Sequence, residues 1–253
     1  METTHPTGLI LDFGGVIVQS ESNDSWAESV ADLMEEIIGV GTVPRKRIID
    51  NVQTGETAAK LWRDAMSRPR FPKELDHETY VTDFIAADWP EDLRDQLASH
   101  ASRICYAVSH HRENRTLRNG ITELLSWCRE QSIPLSIASN ALSGQVHRDF
   151  LAQHDLGRFF VAEIYSDEAG VRKPNPELIW KAADAINVPV EQCWYVGDRI
   201  ERDVLCGERA GVGATVLTPA PSAPMRPFRI HSEPDHTFPD PLGLLHHLQR
   251  IFP

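Results

Sequence analysis

Gly8-Leu9-Ile10-Leu11-Asp12-Phe13-Gly14-Gly15 is the stretch on which the fold turns. A continuous apolar run, without polar alternation, is what a parallel strand covered on both faces requires. The run stops at Asp12, and two glycines follow. A carboxylate at the C-terminal end of such a strand stands where open α/β sheets bind their ligands. Asp12 alone has two readings: it caps a turn, or it does chemistry.

Outward from this stretch the chain divides. Upstream, METTHPTG carries no cationic segment and the apolar run is cut short by Asp12, so no signal peptide is expected. Downstream, from about Ser25 to Arg112, leucines, tryptophans and charges recur at helical spacing, as in SWAESVADLMEEIIGV and ETAAKLWRDAM, with prolines at 44, 69, 72 and 90 as punctuation. This predicts an all-helical insert. Strand and helix then alternate. ITELLSWCREQS, SGQVHRDFLAQHDL and NPELIWKAADAINV read as helices, the last with Asn175 as N-cap before Pro176. IPLSIASN, FFVAEIYS, CWYVGD and GATVLTP read as strands, and RDVLCGERAG as a helix with a glycine at its end. The proline-rich stretch 219–239 is expected to be irregular, and LGLLHHLQRIF to form a terminal helix. Repeated βα units imply an α/β protein with a doubly wound parallel sheet. The expected domains are a core of residues 1–21 and 113–253 and a helical domain of residues 22–112.

Composition limits the partners. A formal net charge of −12 in 253 residues repels phosphate backbones and anionic lipid, so neither nucleic acid nor membrane is an expected partner. No apolar stretch approaches the length of a membrane span. Cys105, Cys128, Cys193 and Cys206 lack the close spacing of a zinc knuckle or redox pair and are expected to be small buried hydrophobes. Their isolation fits a reducing compartment, and a cytoplasmic location is expected. Monomer and homodimer both remain open.

Four polar groups fall where strands end or beside them: Asp12, the pair Ser139-Asn140, Lys173 in GVRKPNPE, and Asp198 in VGDRIERD, with Asp203 five residues later. Singly, each has a plain structural use as a cap, a solvated loop lysine or an exposed helix residue. Their joint order and strand-end placement are not explained by those uses.

In that order the sequence resembles the haloacid dehalogenase-like superfamily. The resemblance rests on LILDFGGVIV, SIASN, GVRKPNPE and VGDRIERD, over residues 8–20 and 115–218. The insert matches the position of an α-helical cap, and Gly55-Glu56 followed by Leu61-Trp62 resembles that cap's second helix. The resemblance implies a Rossmann-like core and a magnesium-dependent phosphohydrolase acting on a small phosphorylated metabolite. It implies that Asp12, the Gly14 carbonyl and Asp198 hold Mg2+, that Asp12 is the nucleophile, and that Ser139, the Asn140 N–H and Lys173 take the phosphoryl charge. Asp203 would orient Lys173 or a metal-bound water.

One position departs from the pattern. Phosphatases of this superfamily usually carry a second aspartate two residues after the nucleophile; here it is Gly14. A positioned acid–base is worth about 10²–10⁴ in rate. Substrates with good leaving groups, a proton supplied by the substrate or by the cap (His110 or His111), or weak turnover would each accommodate the gap. Two alternatives therefore stand beside the phosphohydrolase: a dehalogenase, which the intact Gly197-Asp198 pair argues against, and a weakly catalytic metabolite-binding protein. In the cap, Trp26, Trp62 and Trp89 are expected to pack the helices, and Arg63 to be solvated rather than to reach a substrate anion.

Overall fold

The computed structural model of the protein describes residues 5–220 and 229–252. Six parallel strands form one sheet in the order β5-β4-β1-β6-β7-β8. They are β1 Gly8–Leu11, β4 Leu135–Ser139, β5 Phe160–Tyr165, β6 Cys193–Gly197, β7 Ala214–Leu217 and β8 His236–Thr237. β1 is central because it is apolar on both faces: Leu9, Ile10 and Leu11 are all fully buried. Successive side chains point to opposite sides. Leu9, Leu11, Trp194 and Val196 join the core that also takes residues of α6 Ile121–Glu130, α7 Gly144–Gln153 and α11 Pro241–Ile251. Ile10 and Tyr195 face the opposite core, under α9 Glu177–Ala185 and α10 Leu205–Ala210. The sheet is thus covered on both faces, the doubly wound α/β arrangement expected. The short helix α8 Ser166–Ala169 follows β5.

Helices α1 Trp26–Ile38, α2 Arg45–Ala65, α3 His77–Thr79, α4 Glu91–Ala98 and α5 Ala101–His111 lie between the first and second strands of the sheet in chain order. They bury a core of their own around Val30, Met34, Ile48, Val52, Ile104 and Val108. A π-helical turn, Tyr80–Ile85, continues α3 and crosses α2 at Gly55. A Cβ on Gly55 would lie 2.6 Å from the Phe84 carbonyl oxygen, so glycine sets the closeness of that crossing.

Three features differ from expectation. An antiparallel ribbon of β2 Val18–Ser22 and β3 Glu113–Leu117 joins insert to core, pairing Ser20 with Arg115. VQSES and ENRTL carry no burial alternation strong enough to announce strands; backbone pairing forms them. Within the proline-rich stretch, β8 adds two residues to the sheet edge beside β7, while residues 221–228 lie outside the described residues. The helix that includes Trp180 starts at Glu177, and Asn175 Oδ1 accepts from the Glu177 N–H at 3.1 Å, so Asn175 does cap this turn, one residue further out. All four cysteines are free and buried. Among the described residues, no helix is long and apolar enough to cross a membrane.

Candidate active site

The C-terminal ends of β1, β4 and β6 deliver Asp12, Ser139-Asn140 and Asp198 to one edge of the sheet, and the loop before α9 brings Lys173 to it. A cavity of about 530 Å³ opens there, lined by Asp12, Gly14, Ser139, Asn140, Lys173 and Asp198 among others. Of the seven residues given a role in the expected metal and phosphate site, Asp203 alone is not in this wall but behind it.

Lys173 is the hub. Its Nζ lies 2.9 Å from Asp12 Oδ1 and 2.6 Å from Asp203 Oδ1, and donates to Tyr195 Oη at 2.8 Å. Tyr195 Oη donates to Asp203 Oδ1 at 3.0 Å. The other Asp203 oxygen accepts the backbone N–H groups of Asp198 and Arg199 at 3.2 and 2.9 Å. Asp203 thus holds the amine from behind and fixes the turn that carries Asp198. The Asn140 side chain clamps the Lys173 main chain, its Oδ1 accepting from Lys173 N at 2.7 Å and its Nδ2 donating to Lys173 O at 3.3 Å.

Two glycines make this crowding possible. Gly15 has φ +75°, a left-handed conformation, and a Cβ there would sit 2.4 Å from the Asp198 carboxyl carbon. A Cβ on Gly197 would stand 2.1 Å from that of Asp203. At Gly14, by contrast, a Cβ meets nothing within 4 Å.

Burial sets the electrostatics. It raises the Asp12 carboxyl above its ordinary range against the pull of Lys173. Burial, reinforced by Asp203, pushes Asp198 up to about 8. For Lys173, burial acts to lower the pKa, but Asp12 and Asp203 outweigh it and keep the ammonium charged. For Asp203, burial is overcome by Lys173 and Arg202, which hold the carboxylate ionised.

Asp12, Asp198 and Asp203 each offer an oxygen within 4.8 Å of the others. Asp203 is spent on its hydrogen bonds. Asp198 Oδ1 is buried with no hydrogen-bond partner among the described residues, its nearest ion-pair contact being Arg202 Nη2 at 3.8 Å. An orphaned buried carboxylate oxygen beside a second carboxylate fits a hard dication with oxygen ligands, the preference of magnesium. Asp12 and Asp198, which line the cavity together with Gly14, are the groups able to hold it.

Several residues in or behind the cavity wall had no readable signal. Tyr195 sits within CWYVGD, where an aromatic cannot be told from core. Arg202 lines the cavity, its Nε buried without a hydrogen-bond partner. His147 stacks on Phe13 with centroids 4.0 Å apart and its Nδ1 unpartnered; burial, then Arg115, pushes it down to about 3. Arg112 and Arg115, on the return from the insert, complete the wall. His110 and His111 stack near Tyr106 instead, and neither is among the described residues lining the cavity. Arg63 is not a solvated side chain: it pairs with Glu56 at 2.5 Å. Trp26 and Trp89 pack into the insert's core as expected, whereas Trp62 lies 5.5 Å from the Arg172 guanidinium.

A family model for haloacid dehalogenase-like hydrolase matches residues 6–211, and the chain belongs to that family. Among curated relatives it is similar to a glyceraldehyde 3-phosphate phosphatase of Methanopyrus kandleri, 30% identical over 46% of this chain and 50% of that protein. It is also similar to the human N-acylneuraminate-9-phosphatase, 25% identical over 64% of this chain and 71% of that one. The chain thus spans half the length of the first relative and under three quarters of the second. Its fold resembles CbbY of Rhodobacter sphaeroides, crystallised with phosphate, at TM-score 0.61 and 14% identity over 94% of this chain and 96% of that chain. It also resembles the hydrolase YfnB of Bacillus subtilis, crystallised with magnesium, at TM-score 0.58 and 17% identity over 97% and 99%.

Proposed function

We propose that this hydrolase is a magnesium-dependent phosphatase of small phosphorylated metabolites in the cytoplasm, working through an aspartyl-phosphate on Asp12. The observation that carries the reading is the Lys173 ammonium held between Asp12 and Asp203 beside the orphaned Asp198 oxygen. The phosphatase relatives support the same class.

In this reading residues 1–21 and 113–253 are the catalytic core and residues 22–112 the cap. Asp12, the Gly14 carbonyl and Asp198 hold Mg2+, which offsets the repulsion between a carboxylate and a phosphate dianion and polarises the phosphoryl oxygens. One Asp12 oxygen attacks phosphorus, the phosphorus–oxygen ester bond breaks, and the leaving oxygen departs with the electron pair. Ser139 Oγ, the Asn140 N–H and Lys173 Nζ take the charge on the transferring group. Water then attacks phosphorus, releasing phosphate and restoring Asp12. No side chain at position 14 protonates the leaving group, so esters with good leaving groups, such as aryl, acyl and sugar 1-phosphates, are the favoured substrates.

The test is hydrolysis of p-nitrophenyl phosphate with added magnesium. Activity is expected for the wild type and lost in Asp12→Asn and in excess chelator. Activity that survives either change rejects the mechanism. Binding of one metabolite without turnover of any phosphate ester would favour a binding protein instead.

A further inference from the structure

Between α2 and α3 the chain leaves the helical insert and runs along the core. Pro69 and Arg68 carbonyls accept from the Arg209 guanidinium at 2.7 and 3.3 Å. Lys73 and Val171 form an antiparallel bridge, and the Glu74 N–H donates to Gly170 O at 3.0 Å. The strap therefore touches the core two residues before Lys173, far along the chain from the β2–β3 ribbon.

Glu74 is the chemically distinctive residue of this strap. Its side chain is 7% exposed and pairs with the Arg172 guanidinium, whose own side chain is 2% exposed. Its other oxygen accepts from Ser166 Oγ. Ser166 Oγ in turn accepts the Ala141 N–H at 2.9 Å. One carboxylate thereby grips both loops of the proposed phosphate cradle: through Arg172 it reaches the residue before Lys173, and through Ser166 the residue after Asn140. Lys173 and Asn140 are then joined to each other by the main-chain clamp. The loop is closed by bonds, and the insert supplies its one acidic corner.

We propose that Glu74 is a positioning residue: it sets the spacing of the Ser139-Asn140 and Lys173 loops and so couples the seating of the helical insert to phosphate affinity. This rests on the phosphatase reading of the site. A strap that shifts with the insert pulls both loops together, so phosphate is bound tightly only when the insert is seated. A positional error near 1 Å at a reacting group can cost about a hundredfold.

The experiment measures inorganic phosphate binding, steady-state hydrolysis of p-nitrophenyl phosphate and Mg2+ binding by calorimetry, in wild type, Glu74→Gln and the double variant Glu74→Leu/Arg172→Met. Removing one partner of a buried pair strands a charge, whereas removing both spares the fold; the double variant keeps the test alive if a single variant unfolds. Expected are a roughly tenfold to hundredfold weaker phosphate Kd and higher KM, with Mg2+ affinity changed far less than phosphate affinity, because Glu74 reaches the main chain of Lys173 and Asn140 directly but Asp12 and Asp198 only through the Lys173 side chain and Asp203. A variant with lowered Tm but wild-type phosphate Kd and KM makes Glu74 a plain structural pin and overturns the proposal. Failure of the wild type itself to bind phosphate or turn over any ester instead sinks the reading of the site.

Discussion

Gly14→Asp is the most informative single change. A Cβ at this position meets nothing within 4 Å, and Gly14 is absent from the residues with positive φ. A Cβ there meets no steric obstacle, and losing glycine's freedom in the unfolded chain contributes up to about 1 kcal/mol of stability. The new carboxyl enters a cavity that already holds Asp12 and Asp198, so its pKa is pushed up and it stays available as a proton donor. Supplying a missing acid–base is worth about 10²–10⁴ in rate, or roughly 3–5 kcal/mol of barrier. The assay compares kcat/KM for p-nitrophenyl phosphate with that for alkyl phosphates of rising leaving-group pKa. Alkyl esters should gain most and the aryl ester little, so the dependence on leaving group flattens. A folded Gly14→Asp protein that improves neither would show that protonation does not limit turnover, and the account of the glycine would be wrong.

Gly15→Ala is expected to lose Mg2+ binding and activity together, because φ +75° and the 2.4 Å approach to Asp198 force that carboxylate to move; the left-handed strain alone costs about 1–2 kcal/mol, and an unchanged Mg2+ titration would contradict this. Lys173→Met strands Asp12 against Asp203 and should cost about 3–5 kcal/mol in denaturant unfolding; adding Asp203→Asn should restore stability but not activity. Asp198, pushed up to about 8, keeps in the metal-free fold a proton that the unfolded chain releases. Its contribution to stability is therefore present at low pH and fades as pH rises towards about 8. Over the same window Mg2+ affinity should rise with pH and binding should release protons, measurable by calorimetry in buffers of different ionisation heat; proton uptake would refute it.

The parallel strands β1, β4, β6 and β7 were legible because burial on both faces leaves an unmistakable run such as Leu9 to Leu11, whereas the two-residue edge strand β8, only part-buried, was not. Their polar ends were legible for the same reason, since Asp12 and Asp198 interrupt apolar sequence. The β2–β3 ribbon was not, because Gln19 and Glu21 alternate with serines rather than with core residues. Tyr195 and Arg202 were missed because their roles depend on neighbours from distant segments: Lys173 reaches Tyr195 across 22 residues of chain. Glu74 was invisible for the sharper reason that its partners, Ser166 and Arg172, are 92 and 98 residues away. His110 and His111 stood near the insert's return in sequence, yet the turn of α5 carries Ser109 and Arg112 to the cavity in their place.

The covalent step can be weighed directly. Protein mixed with magnesium and a turnover substrate, quenched in acid and analysed by intact and peptide mass should show one added phosphoryl group on the peptide that contains Asp12, absent in Asp12→Asn. A turning-over enzyme whose Asp12 stays unmodified under rapid quench, or whose phosphoryl group sits on Ser139 or His147, would contradict the assignment of the nucleophile.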